Sequence, residues 1–205
     1  MRTGQPSRKK AKCWSDGENT RISFPKRPFH NTETRMSIEE KVERHTIAVL
    51  VDNEAGVLAR VVGLFSGRGY NIESLTVGEV DQAEHTSRIT VVTAGTPMVI
   101  EQIKAQLDRL VPVHRVMDLT VETNSVEREM ALIKVAGTGE RRVEALRLAD
   151  AFRARVIDTT HTSFVFEVTG TPSKIDAFIG LMRPLGLVDV SRTGVVAIAR
   201  GPEAM

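Results

Sequence analysis

Asp52-Asn53-Glu54-Ala55-Gly56-Val57-Leu58-Ala59-Arg60-Val61-Val62-Gly63-Leu64-Phe65-Ser66-Gly67-Arg68-Gly69-Tyr70-Asn71-Ile72-Glu73-Ser74-Leu75 joins a helix start to a strand start without any catalytic group between them. Upstream, His45 to Val51 reads as a strand, and the turn at Asp52-Asn53-Glu54-Ala55-Gly56 leads into Val57, Leu58, Val61, Val62, Leu64 and Phe65 at helical spacing. One face of that helix therefore belongs to a core. Gly56 lets a ligand approach the backbone closely, and the free N–H groups of a first helical turn favour an anion such as a carboxylate. An amino acid fits that description, so the stretch predicts a small-molecule sensor.

Working outward, Tyr70 to Val80 reads as a strand, Asp81 to Glu84 as a turn, and Ser87 to Ala94 as a further strand rich in β-branched residues. Gly95-Thr96-Pro97 opens a second helix with Ile100, Ile103, Leu107 and Leu110 on one face, Pro97 standing where its missing N–H costs nothing. Val111 to Val121 closes the unit as a strand. The order βαββαβ is the ferredoxin-like arrangement, with two helices on one face of a four-stranded antiparallel sheet.

The plan then repeats. Glu129 to Ala136 is a strand, Gly139 to about Arg153 a helix carrying Val143, Leu146 and Leu148, and Arg155 to Thr160 with Ser163 to Thr169 a strand pair. Pro172 to Leu185 is a helix with Ile175, Phe178, Ile179 and Met182 inside, and Val188 to Val190 and Val195 to Ala199 finish the unit. Gly95-Thr96-Pro97 followed by Ile100, Ile103 and Leu107 is echoed, at the same spacings, by Gly170-Thr171-Pro172 followed by Ile175, Phe178 and Met182. That is an internal repeat. The predicted fold class is α+β: two tandem ferredoxin-like domains over 43–121 and 128–201, with Glu122-Thr123-Asn124-Ser125 a polar hinge. Units of this size bury more surface by dimerising.

Residues 1–42 are expected to be a disordered basic tail. Arg2, Arg8, Lys9, Lys10, Lys12, Arg21, Lys26, Arg27 and Arg35 face only Asp16, Glu18 and Glu33 in the first 35 positions, with no apolar periodicity. Read more sharply, such a tail is a nucleic-acid arm or an organelle transit peptide, but Met36-Ser37-Ile38-Glu39-Glu40 also looks like a second translation start. The net charge of +2 comes from this tail, and the mildly acidic remainder argues against a nucleic-acid-binding body. One Trp and one Tyr leave little stacking surface for single-stranded nucleic acid. The lone Cys13 fits a reducing compartment, with the cytoplasm as the expected location. No membrane span and no signal peptide are expected.

The parts of common chemistries are missing. Histidines 30, 45, 85, 114 and 161 are dispersed, without partners at metal-ligand spacing, so no metal is expected. No nucleophile elbow, phosphate loop or dinucleotide fingerprint occurs; Gly137-Thr138-Gly139 after a strand comes nearest, and reads as a tight turn opening a helix. Asn53 read as a helix cap and Asn71 as a strand-opening turn are the plain alternatives to ligand contact. A small phosphatase-like enzyme with an Arg/Asn site on this fold, as in acylphosphatases, stays open on the residues alone.

Asn53-Glu54-Ala55-Gly56-Val57-Leu58, Gly63-Leu64-Phe65-Ser66 and Arg68-Gly69-Tyr70-Asn71-Ile72-Glu73-Ser74-Leu75-Thr76-Val77 closely resemble the first ACT domain of the acetolactate synthase (acetohydroxyacid synthase) small subunit. Val126 to Val135 resembles the entry to that family's second domain and Ser191 to Gly201 its end, so the resemblance covers about 44–201. It implies a non-catalytic regulatory subunit that binds and activates a large thiamine-diphosphate-dependent subunit and confers feedback inhibition by valine, sometimes leucine or isoleucine. Thiamine diphosphate, Mg²⁺ and FAD would belong to the large subunit and none to this chain. The effector would lie between the ACT domains of two chains, with Asn53, Gly56, Val57 and Leu58 of one facing Asn71 and Ile72 of the other. The resemblance assigns the carboxylate to backbone amides at 56–58, the polar end to Asn53 and Asn71, and the aliphatic side chain to Leu58 and Ile72. Many relatives carry Ser where this chain has Ala59. A rival of another class is a free-standing ACT-domain amino-acid sensor that controls transcription, the tail serving as its nucleic-acid arm.

Overall fold

The structure, a computed structural model, describes residues 41–121 and 124–202. The expected tail lies outside the described residues, as do Glu122 and Thr123 of the expected hinge. The first unit runs β1 (Glu43–Asp52), α1 (Val57–Arg68), β2 (Ser74–Asp81), β3 (Thr86–Gly95), α2 (Pro97–Leu107) and β4 (Val113–Asp118). The second runs β5 (Ser125–Ala136), α3 (Glu140–Ala151), β6 (Arg155–Thr159), β7 (Ser163–Gly170), α4 (Pro172–Gly186), β8 (Leu187–Arg192) and β9 (Val196–Ala199). Strand order is β2-β3-β1-β4 in one sheet and β6-β7-β5-β8 in the other, and every pairing is antiparallel. Two ferredoxin-like sheets follow one another in the chain, as the repeat predicts.

Alternation explains the first core. Ile47, Val49 and Val51 of β1 and Ile89 and Val91 of β3 point to the helix side, where Val57, Val61 and Phe65 of α1 meet Ile100, Ile103 and Leu107 of α2. In the second core Ala131, Ile133 and Val135 face Phe164, Phe166 and Val168 under Ile175, Phe178 and Met182 of α4. Phe178 sits between Phe152 and Phe166, with ring centroids at 5.2 and 6.1 Å. The α3 reading needs correction: Val143 and Leu146 are exposed, and the buried residues are Ala145 and Ala149. Small alanines bring the helix close to the sheet, and the Arg142 guanidinium lies 3.8 Å from the Phe164 ring centre.

Two further differences matter for function. First, β2 begins at Ser74, so Tyr70 to Glu73 form a loop rather than the head of a strand. The amides of Gly69 and Tyr70 turn back to the Ser66 and Phe65 carbonyls, and only at Glu73 N, 2.8 Å from Val92 O, does pairing with β3 begin. Second, β5 starts at Ser125, earlier than the expected Glu129, because its first four residues pair with β9. This β5/β9 ribbon does not simply complete the second sheet. It covers the face of the first sheet that α1 and α2 leave open, with Ala197 against Ala48 and Leu119.

Gly194 makes that crossing possible. Its φ is +84°, and a Cβ there would stand 2.7 Å from Ser74 Oγ and 3.0 Å from Thr76 Cγ2, so any larger residue would be pushed off β2. Val195 then donates its N–H to Ser74 Oγ at 2.8 Å and accepts from Thr76 Oγ1 at 2.9 Å.

Arg192 secures the last turn before the crossing. It donates from Nε and Nη2 to the two carboxylate oxygens of Glu129, each at 2.6 Å, and from Nη1 to Asp176 at 2.7 Å. Hydrogen bonding to Glu129 first, and to Asp176 after it, raises the guanidinium above its ordinary range against the opposing pull of burial. Glu129 is buried while the Arg192 side chain is 36% exposed. Arg192→Ala should therefore cost about 2–3 kcal/mol, less than the roughly 3–5 kcal/mol of a fully buried pair. Thermal unfolding read by circular dichroism checks it, and an unchanged midpoint would show that water replaces the guanidinium without loss.

Candidate functional site

α1 begins without a side-chain cap. Gly56, at φ +88°, is the N-cap residue, and the Asn53 side chain donates instead to Glu79 Oε1 at 3.3 Å across the β2 edge. Asn53 N reaches His85 O at 2.6 Å and Asp52 N reaches Pro112 O at 2.9 Å, so the turn is pinned by its backbone on both sides. Within the turn the Glu54 amide donates to Asp52 O at 2.9 Å and the Val57 amide to Glu54 O at 3.4 Å. Among the described residues, the amides of Gly56, Leu58 and Ala59 take none, and nothing lies within 4 Å of where a Gly56 Cβ would be. Open N–H groups at the positive end of a 12-residue helix form a place for an anion.

The side chains around that point divide by role. The Val57 side chain is core, buried in the first cluster. Leu58 is 41% exposed beside the open amides and presents an aliphatic surface there. At the other end of α1, Asn71 is exposed, and its backbone carbonyl accepts from Thr93 Oγ1 at 2.6 Å. Ile72 is half-buried against the first core.

The structure thus brings Asn53, Gly56, Val57 and Leu58 together, and separately Asn71 and Ile72. α1 holds the two groups apart by about 18 Å, its 12 residues rising 1.5 Å each. A single amino acid cannot touch both groups in one chain.

Several interactions escaped the sequence reading. His45 Nδ1 lies 2.7 Å from Asp118 Oδ2 in a buried pair, and His114 Nε2 lies 2.6 Å from Asp52 Oδ1 just below the Asn53 turn. Each joins residues more than sixty positions apart, which no local spacing announces. Among the described residues no group of three His, Cys, Asp or Glu side chains could hold a metal ion, and no helix is long and apolar enough to cross a membrane. The β5/β9 ribbon did leave a signal: Val196 and Ile198 alternate with Ala197 and Ala199, the small pair facing the first sheet and the large pair exposed.

Two family models match the chain: an acetolactate synthase small-subunit ACT domain over 47–115, and the small subunit of acetolactate synthase over 128–201. The chain is 49% identical to a probable acetolactate synthase small subunit of Archaeoglobus fulgidus over 158 residues, 77% of this chain and 98% of that protein. The chain belongs to the acetolactate synthase small-subunit family. It is also 45% identical to the isozyme 3 small subunit of Salmonella typhimurium, over 79% of this chain and 99% of that one. The crystal structure of the Thermotoga maritima acetolactate synthase small subunit superposes with a TM-score of 0.71 at 39% identity, covering 78% of this chain and 99% of its own. The first sheet is accordingly the ACT domain, and the family name places the chain in branched-chain amino-acid synthesis.

Proposed function

We propose that the chain is the regulatory subunit of an acetolactate synthase: it binds a large catalytic subunit, raises its turnover and makes it sensitive to valine or another branched-chain amino acid. The observation that carries this reading is the open start of α1, where the unpartnered amides of Gly56, Leu58 and Ala59 adjoin the Asn53 turn and the exposed Leu58. The amides suit a carboxylate, the Leu58 side chain suits a short aliphatic group, and Asn53 supplies polar atoms beside them. Asn71 and Ile72 complete the site from a second copy, because within one chain α1 holds them too far away. β2 is the edge strand of its sheet, and Val77 and Val80 are exposed along it, which suits joining to the β2 edge of another copy.

The chain itself takes no part in bond making. Thiamine diphosphate, Mg²⁺ and FAD belong to the large subunit in this reading, which works in the cytoplasm with neither nucleic acid nor a membrane as partner. Two measurements test it. A tagged chain expressed in its own cell should recover the large catalytic subunit as its main partner, and the purified chain alone should make no acetolactate from pyruvate. Recovery of DNA in place of a large subunit would favour the transcriptional sensor, and turnover by the chain alone would end the regulatory reading.

A further inference from the structure

The loop Tyr70 to Glu73, which carries Asn71 and Ile72, is tied beyond its own domain. Its inner anchors, Thr93 Oγ1 to Asn71 O and Glu73 N to Val92 O, are both to β3 of the ACT sheet. Its outer anchor is Arg44, at the start of β1. Arg44 donates from Nε to Glu73 Oε2 at 3.0 Å and extends Nη1 to within 3.7 Å of Glu127 Oε2 on β5. Glu127 in turn accepts the Thr46 hydroxyl through its other oxygen. One guanidinium therefore spans two carboxylates, one in the loop and one on the strand that opens the second domain. Immediately after the loop, Ser74 and Thr76 hold the backbone of Val195. A cavity of about 460 Å³ lined by Arg44, Glu73, Ser74, Glu129 and Arg192 lies between the two sets of ties.

Stability does not require the Arg44 bridge. The side chains of Arg44 and Glu73 are 41% and 37% exposed, and ion pairs so placed contribute little to folding. The hold between the domains is carried by Ala48, Leu119 and Ala197 and by the Val195 hydrogen bonds. What the bridge does set is position: Glu73 stands two residues from Asn71, so a ligand that draws on the Asn71 side chain moves Glu73 relative to a guanidinium that also faces Glu127 on β5.

We infer that Arg44 is a positioning residue that couples occupancy of the Asn71–Ile72 loop to the second domain through Glu73 and Glu127. This rests on the effector reading given above. Removing Arg44 leaves the ligand's own contacts in place and breaks the connection by which the second domain senses them, so binding and inhibition come apart.

The test uses the full chain and the reconstituted complex, with valine as the probe. Calorimetric titration of valine into Arg44→Met alone should match the wild type, and activation of the catalytic subunit without valine should be unchanged. With binding intact, the fall in rate at saturating valine should shrink to a small part of the wild-type value, because what is lost is the coupling between sites and not the ligand's affinity. Arg44→Lys, which keeps a charge between the two carboxylates, should recover part of the response. Glu127→Gln, which keeps an acceptor for Thr46 and removes the charge, should reproduce the loss and provides the reading if Arg44→Met does not fold. Inhibition curves for these variants that overlay the wild type would overturn the inference. So would Arg44→Met losing valine binding outright, since Arg44 would then serve the ligand directly. A wild-type chain that takes up no valine would instead remove the effector reading on which the inference stands.

Discussion

Gly56→Asp should give a folded protein that still activates the catalytic subunit, while inhibition by valine moves to roughly ten- to a hundredfold higher concentration. The substitution puts a carboxylate where the amides of Leu58 and Ala59 stand open, so it occupies the anion place and repels the ligand's own carboxylate. Folding should survive, because no atom beyond the adjoining residues lies within 4 Å of the new Cβ. The φ of +88° adds strain of about 1–2 kcal/mol, and Asp tolerates the left-handed region better than most side chains. Valine titrated against the reconstituted enzyme reads the shift. An unchanged inhibition curve in a folded Gly56→Asp protein would remove the start of α1 from the effector site.

Phe178→Ala should lower stability by about 3–5 kcal/mol, the usual cost of deleting a fully buried aromatic ring. Phe178 is wholly buried between Phe152 and Phe166, and both neighbours would lose a ring contact at once. For a chain of this size each kcal/mol lowers the unfolding midpoint by about 2–4 °C. The loss also reports on the β5/β9 ribbon. Because β9 lies over the ACT sheet while β5 runs into the second core, both domains should unfold in one transition that moves as a whole. Two separate calorimetric peaks, with only the upper or only the lower displaced, would show that the ribbon does not join the domains thermodynamically.

Periodicity made the two ferredoxin-like units legible, because every α1, α2 and α4 residue that reaches the core recurs at helical spacing. The helix α3 broke the rule. Val143 and Leu146 outweigh Ala145 and Ala149 in hydrophobicity, so the pattern points to the wrong face when the helix must lie close to the sheet. At the candidate site, the turn and Gly56 were legible as local features, and the structure places them at an uncapped helix start. The loop position of Asn71 and Ile72 was not, since Ile72 and Leu75 read as a strand until the return of the chain from α1 is seen. The path of β9 across the ACT sheet depends on the Gly194 turn meeting Ser74 and Thr76 some 120 positions earlier, a contact that no window of sequence contains. The same holds for the bridge from Glu73 through Arg44 to Glu127.

One rate assay decides the regulatory role. Acetolactate formation by the cognate large subunit is followed as this chain is added, and valine is then titrated into the saturated mixture. The rate should climb with the chain to a plateau and fall again as valine rises, with the chain alone giving no product. A rate indifferent to the chain, or a plateau indifferent to valine and to the other branched-chain amino acids, would contradict the regulatory role.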